Sequence, residues 1–162
     1  MTTGDANDLT GPGVQQSRLK ALMPQVMADV QAMLQADRSA VFINDEKTNE
    51  LWSVIAVGGG RVKDIRFPNH LGFTGDVFTS GVAENIADVC EDPRFVPAAD
   101  YKTGYRTRSL LIVPLLNKGG RPIGVIQAVN KRTGGAFTQA DAERLREYAE
   151  RISAEIESAM LT

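Results

Sequence analysis

Two runs decide the fold: Ser109-Leu110-Leu111-Ile112-Val113-Pro114-Leu115-Leu116 and Ile123-Gly124-Val125-Ile126-Gln127-Ala128-Val129-Asn130. Both are short, almost wholly apolar and rich in branched side chains. Between them stand the turn residues Asn117-Lys118-Gly119-Gly120-Arg121. The pattern predicts a β-hairpin covered on both faces, because a strand with one wet face alternates apolar with polar side chains. Gln127 interrupts the second run. A buried amide left unpaired costs about 1–3 kcal/mol, so a partner for Gln127 is expected.

Working outward, Ala40 to Asn44 and Leu51 to Val57 read as another hairpin, joined by the polar segment Asp45 to Glu50. Gly58-Gly59-Gly60 then turns the chain into a more polar strand, Val62 to Phe67, closed by Pro68. Links this short cannot make parallel crossovers, so the meander is antiparallel. Leu71 to Gly81 predicts a tight loop running into a short helix, and Glu84 to Asp88 a brief strand. The polar stretch Cys90 to Arg106 is long for a plain loop, which points to a short helix or a functional lid.

The ends read as helices. From Val14 to about Gln35, Leu19, Leu22, Val26, Val30, Met33 and Leu34 draw one apolar stripe, with Pro24 predicting a kink or a restart. Thr138 is a candidate N-cap with Asp141 three residues on, and Leu145, Tyr148, Ala149, Ile152, Ile156 and Met160 continue the stripe. The expected class is α+β: a central antiparallel sheet of about five or six strands with both long helices on one face. The polar segment 1–13 reads as a disordered leader and 14–162 as a single domain.

Composition excludes several classes of function. A net charge of -2 without a basic run argues against a nucleic-acid partner. No apolar stretch approaches the roughly 20 residues that span a bilayer, and no signal peptide is visible, so a cytoplasmic protein is expected. Arg61-Val62 after the glycines rules out a phosphate-binding P-loop. His70 and Cys90 are the only residues of their kinds, so neither a metal site nor a Cys-His nucleophile is expected, and Cys90 reads as a buried small hydrophobe. The expectation is a chain with no catalytic residues and no cofactor.

Asn130-Lys131, then Phe137, then Asp141 stand in the order and spacing of an Asn-Lys…Phe-x-x-x-Asp-Glu signature, with Ala142 in place of the final Glu. Asp100-Tyr101-Lys102-Thr103-Gly104-Tyr105-Arg106-Thr107-Arg108-Ser109 and Leu71-Gly72-Phe73-Thr74-Gly75-Asp76-Val77 lie upstream. Together with the element order, they resemble the GAF family, in the branch of cyclic-nucleotide phosphodiesterases and bacterial adenylyl cyclases. The likeness covers about residues 25 to 160.

The resemblance implies a sensory module whose ligand, cyclic AMP or cyclic GMP, lies between the sheet and a lid over residues 88–106. Its terminal helices would relay the signal to an output domain or partner. The matching pocket positions are Ser39, Phe73, Thr74, Asp100, Thr103, Thr107 and Gln127. Lys131 and Asp141 are expected to form a structural ion pair away from the ligand. Gln127 stands where an acid is frequent, and Val57-Gly58 where some members place an aromatic and an aspartate, so base preference stays open. Members that reduce methionine sulfoxide use several cysteines, and members that attach a bilin place a His after the Cys, where Glu91 stands here.

Physical readings stand beside these. Glycines 72 and 75 would let backbone N–H groups at a helix start approach an anion, or they serve an ordinary turn and cap. Asp100, Thr103 and Thr107 offer a carboxylate and two hydroxyls to a ligand, or they supply local turn chemistry. Met23 and Met27 flank the first helical stripe, which predicts a homodimer through the helices. The alternative function is a dimerisation scaffold without a ligand.

Overall fold

The computed structural model describes residues 12–58, 61–95 and 104–161. Helix α1 (Pro12–Leu34) leads into a meander of β1 (Ala36–Asp45), β2 (Glu50–Gly58) and β3 (Arg61–Pro68). Helix α2 (Gly72–Ser80), the short β4 (Glu84–Ile86) and a 3-10 turn (Val89–Glu91) follow. The hairpin of β5 (Leu110–Leu116) and β6 (Pro122–Lys131) then leads to helix α3 (Gln139–Leu161). The six strands form one sheet in the order β3-β2-β1-β6-β5-β4, and every pairing is antiparallel.

The central joint is β1 against β6, in register from Ala36 opposite Lys131 to Ile43 opposite Gly124. The two backbones come so close that a Cβ on Gly124 would sit 2.3 Å from the Phe42 carbonyl oxygen, so only glycine fits. Alternate side chains then build two cores. On one face Val41, Ile43, Ile126 and Ala128 pack against Met23, Val26 and Val30 of α1 and Leu145, Ile152 and Ile156 of α3. On the other, Phe42, Leu51, Ile112 and Val125 pack with Val77 of α2 and Val89. β5 and β6 are therefore covered on both sides, as their apolar runs predict.

Both long helices share one face, and Tyr148 ties them by donating its hydroxyl to Asp29 at 3.0 Å. Burial, and then the bond to Asp29, raise the Tyr148 pKa well above its ordinary value. The start of α3 is a reciprocal capping box. Thr138 N donates to Asp141 Oδ2 at 2.9 Å, and Asp141 N donates to Thr138 Oγ1 at 3.0 Å.

Several expectations need adjusting. Helix α1 runs unbroken through Pro24, which is exposed, so the carbonyl that loses its N–H partner is on the wet side. The helix also takes in Pro12 and Gly13, while the expected leader's residues 1–11 lie outside the described residues. Met23 is 2% exposed and belongs to the core, whereas Met27 is half-buried beside it. Among the described residues no helix is long and apolar enough to cross a membrane.

Candidate functional site

On the face opposite the long helices, α2 meets β6. The half-buried Gln127 points to this side, since its register partners Ala40 and Ile112 both belong to that core. Its partner is Thr74, whose hydroxyl donates to Gln127 Oε1 at 2.9 Å. Two expected pocket positions, 53 residues apart in sequence, are thus joined. Among the described residues the Gln127 amide nitrogen meets no acceptor.

Thr74 is placed by the start of α2. Gly72 takes a φ of +65°, a left-handed conformation that glycine adopts without strain. A Cβ on Gly75 would lie 2.4 Å from the His70 carbonyl carbon. Both glycines therefore serve the turn itself. Leu71 at the N-cap offers no side-chain acceptor, so the first-turn N–H groups have no capping partner from it.

Arg94 fastens the chain beyond β4 onto α2. Its five N–H donors make five bonds, to Asp92 at 3.0 and 2.7 Å, Glu84 at 2.9 and 2.7 Å, and Asp76 at 2.9 Å. The guanidinium also lies 4.6 Å from the Phe73 ring centre. The Asp92 carboxyl is held at about 2, chiefly by its bonds from Arg94. Phe73, another expected pocket position, is fixed by this cluster.

The chain leading into β5 is held by Asn130. Its Oδ1 accepts from the N–H groups of Arg108 and Ser109, at 2.7 and 3.1 Å. Its Nδ2 donates to the Arg106 carbonyl at 2.8 Å and to the Tyr105 hydroxyl at 2.9 Å. The half-buried Thr107 sits inside this clamp. Tyr105 in turn donates to Asp37 at 2.6 Å, and burial first, then this bond, push its pKa up to about 12. The next residue, Lys131, donates to Asp141 at 2.7 Å and to the Leu34 carbonyl at 3.1 Å. It therefore joins the end of β6 to the end of α1 and the start of α3.

The remaining sequence-derived positions divide. Ser39 pairs in register with Ala128, which belongs to the helix-side core, and its hydroxyl donates to the Met27 carbonyl of α1 at 2.7 Å. It faces away from Thr74 and Gln127, across the sheet. Asp100 and Thr103 lie outside the described residues. Cys90 is exposed, not buried, because Val89 takes the inward position of the 3-10 turn. Sequence reasoning missed Arg94, whose carboxylate partners are scattered from Asp76 to Asp92 with no helical or strand spacing to mark them.

Comparison with known proteins agrees with this architecture. The GAF domain family model matches residues 18–156. A probable 3',5'-cyclic phosphodiesterase of Caenorhabditis elegans is 36% identical over 142 residues. The match takes in 81% of this chain and 19% of that protein, so the chain spans about a fifth of the relative's length. Among solved structures, the GAF domain of a phosphoenolpyruvate-protein phosphotransferase from Coxiella burnetii superposes with a TM-score of 0.70 at 20% identity, covering 93% of this chain and 86% of that one. The free methionine-R-sulfoxide reductase from Neisseria meningitidis gives 0.65 at 24% identity, covering 92% and 86%. At these identities the structural likeness speaks for the fold alone. The family match covers both cores, the Thr74–Gln127 joint and the Asn130-Lys131…Asp141 clamp: the chain belongs to the GAF domain family, a family of small-molecule sensory and regulatory domains.

Proposed function

We propose that this domain binds a cyclic nucleotide against α2 and Gln127 and passes the binding energy to its terminal helices. The carrying observation is the Thr74–Gln127 hydrogen bond, which leaves the amide nitrogen without an acceptor among the described residues. A donor beside a carbonyl oxygen with a spare lone pair complements adenine, whose edge offers an acceptor next to an N–H donor. The uncapped N-terminus of α2 suits the cyclic phosphate, an attraction of about 0.3–1 kcal/mol when exposed. Asp100, Thr103 and Thr107 complete the pocket in this reading, with the lid closing over the ligand. Similarity to a probable cyclic phosphodiesterase supports the ligand class.

The relay would run through the clamp. A ligand that draws on the segment around Thr107 pulls on Asn130, and the adjacent Lys131 holds the ends of both long helices. Ligand binding can shift the helices only if it favours one of two arrangements of this joint. Homodimerisation along the helix layer, with Leu22, Met27 and Met33 at its margin, would carry the shift to a partner or an output domain in the cytoplasm.

Calorimetric titration of the domain with cyclic AMP and cyclic GMP tests the proposal. Saturable one-to-one binding of either supports it. No heat from either nucleotide at millimolar concentration would leave the scaffold reading in its place.

A further inference from the structure

A cleft of about 760 Å³ opens at the other end of the sheet, where β1 begins, β6 ends and the chain leads into β5. None of Phe73, Thr74, Thr107 or Gln127 lines it. Its walls are already fixed. Tyr105 spends its hydroxyl on Asp37, and all four hydrogen-bonding positions of the Asn130 amide are occupied. Asp88 accepts from Cys90 N at 3.0 Å.

What these bonds leave over is positive charge. Arg106, Arg108 and Arg132 line the cleft with exposed side chains, and among the described residues none has a carboxylate within ion-pair distance. Lys131 lines it too, although its charge is matched by Asp141. With Lys131 set against Asp141, the three arginines face the two lining carboxylates, Asp37 and Asp88, which leaves a surplus of one positive charge in a chain whose net charge is -2. Like charges gathered in one concavity repel, and an anion relieves them. The guanidinium fork matches phosphate oxygens in shape as well as charge. The volume falls within the range of small-molecule sites.

We propose that this cleft binds a small anion carrying a pyrophosphate group, at a site separate from the one above Gln127. Its position beside Lys131 places the anion next to the joint of α1, β6 and α3. The pyrophosphate group has two sources of the same chemistry, the free ion and a nucleoside diphosphate. Either would be held by Arg106, Arg108 and Arg132. The multiple charge of the anion is the selecting feature, so a singly charged cyclic phosphodiester is a poor fit.

Titration of isotopically labelled protein with inorganic pyrophosphate, followed by amide and arginine side-chain resonances, tests the inference. We expect saturable shifts at Gly134, Gly135 and the arginine side chains, absent with sodium chloride at equal ionic strength. Arg106→Gln, Arg108→Gln and Arg132→Gln together should weaken binding at least about tenfold, the loss of one charge-assisted hydrogen bond or more. These residues are exposed, and an unchanged thermal melt verifies that the variant folds. Adenosine diphosphate binding more tightly than pyrophosphate identifies a nucleotide as the source, and equal or weaker binding identifies the free ion. Pyrophosphate should still saturate its site in the presence of saturating cyclic AMP, and mutual exclusion of the two ligands would place them at one site and overturn the inference. No saturation by about 10 mM, undiminished binding to the triple variant, tighter capture of an acidic peptide, or shifts centred on Thr74 and Gln127 would each overturn it. A failure here leaves the cyclic-nucleotide reading of Gln127 intact, because the two sites share no lining residue named for either.

Discussion

Asp141→Ala should remove a large part of the domain's stability. The Asp141 carboxylate is 3% exposed and accepts from Lys131 Nζ at 2.7 Å and Thr138 N at 2.9 Å. Truncation leaves the Lys131 ammonium, itself 16% exposed, without its carboxylate, held by the Leu34 carbonyl at 3.1 Å and the Phe137 ring 5.9 Å away. Losing one member of a buried pair costs about 3–5 kcal/mol, and the partial exposure of Lys131 places this case near the lower end. The lost cap contributes about 1 kcal/mol more. We expect about 3–5 kcal/mol in urea unfolding at pH 7, a large share of the 5–15 kcal/mol typical of a domain. Asp141→Asn keeps an oxygen for Thr138 N but loses the charge, so it should cost less than Ala. A loss under about 1 kcal/mol for Asp141→Ala would refute the view that this pair holds the sheet to the helices. The pair also has a pH signature. Burial alone would raise the Asp141 pKa, but the bonds from Lys131 and Thr138 outweigh it and hold the carboxyl below its ordinary value. A depressed folded-state pKa gives stability that is fully present above the unfolded value of about 3.9 and lost as pH falls through the folded one. Asp141→Asn should flatten that part of the acid unfolding curve.

Ser39→Ala should cost about 1 kcal/mol of stability, the bond to the Met27 carbonyl, while leaving cyclic-nucleotide affinity unchanged in titration. A tenfold affinity loss would return Ser39 to the pocket. Asn130→Ala breaks the clamp and puts alanine at a φ of +58°, for about 2–4 kcal/mol in urea unfolding, and Asn130→Gly should recover about 1 kcal/mol of that by relieving the backbone. A glycine variant no more stable than the alanine one would count against the strain. Met27→Glu should convert a homodimer to monomer in sedimentation. A wild-type chain that sediments as a monomer at high concentration would contradict the dimer. Met23 is unsuited to that test, since a charge at a 2% exposed core position would unfold the chain.

Most of the fold was legible because its signals are local. The runs flanking Asn117 to Arg121 carry their own strand pattern and turn, and Thr138 with Asp141 marks the helix start that the structure caps reciprocally. The face on which Ser39 lies was not legible. Ser39-Ala40-Val41-Phe42-Ile43 belongs to a strand covered on both sides, so no polar alternation reveals its parity, and a one-residue error moves a side chain across the sheet. Pro24 left a kink or a restart open, and the helix does not restart there: sequence shows the missing N–H but not that the affected turn faces water. Cys90 read as buried because cysteine commonly is, whereas the turn it occupies spends its one inward position on Val89. Gln127 announced that it needed a partner, but Thr74 is brought to it by tertiary contact between α2 and β6, which no spacing reveals.

The most direct test of cyclic-nucleotide recognition at Gln127 is calorimetric titration of the wild-type domain and of Gln127→Glu with both cyclic nucleotides. The Thr74 hydroxyl can still donate to a carboxylate, so the substitution changes what the ligand meets more than how the site is built. The amide should give the wild type a modest preference for cyclic AMP. The carboxylate, which only accepts, should shift preference toward cyclic GMP, whose guanine N1–H and exocyclic amine donate, by about tenfold or 1.4 kcal/mol. Equal affinities for both nucleotides in both proteins would remove Gln127 as the reader of the base, and absence of binding in the wild type would contradict the proposed ligand altogether.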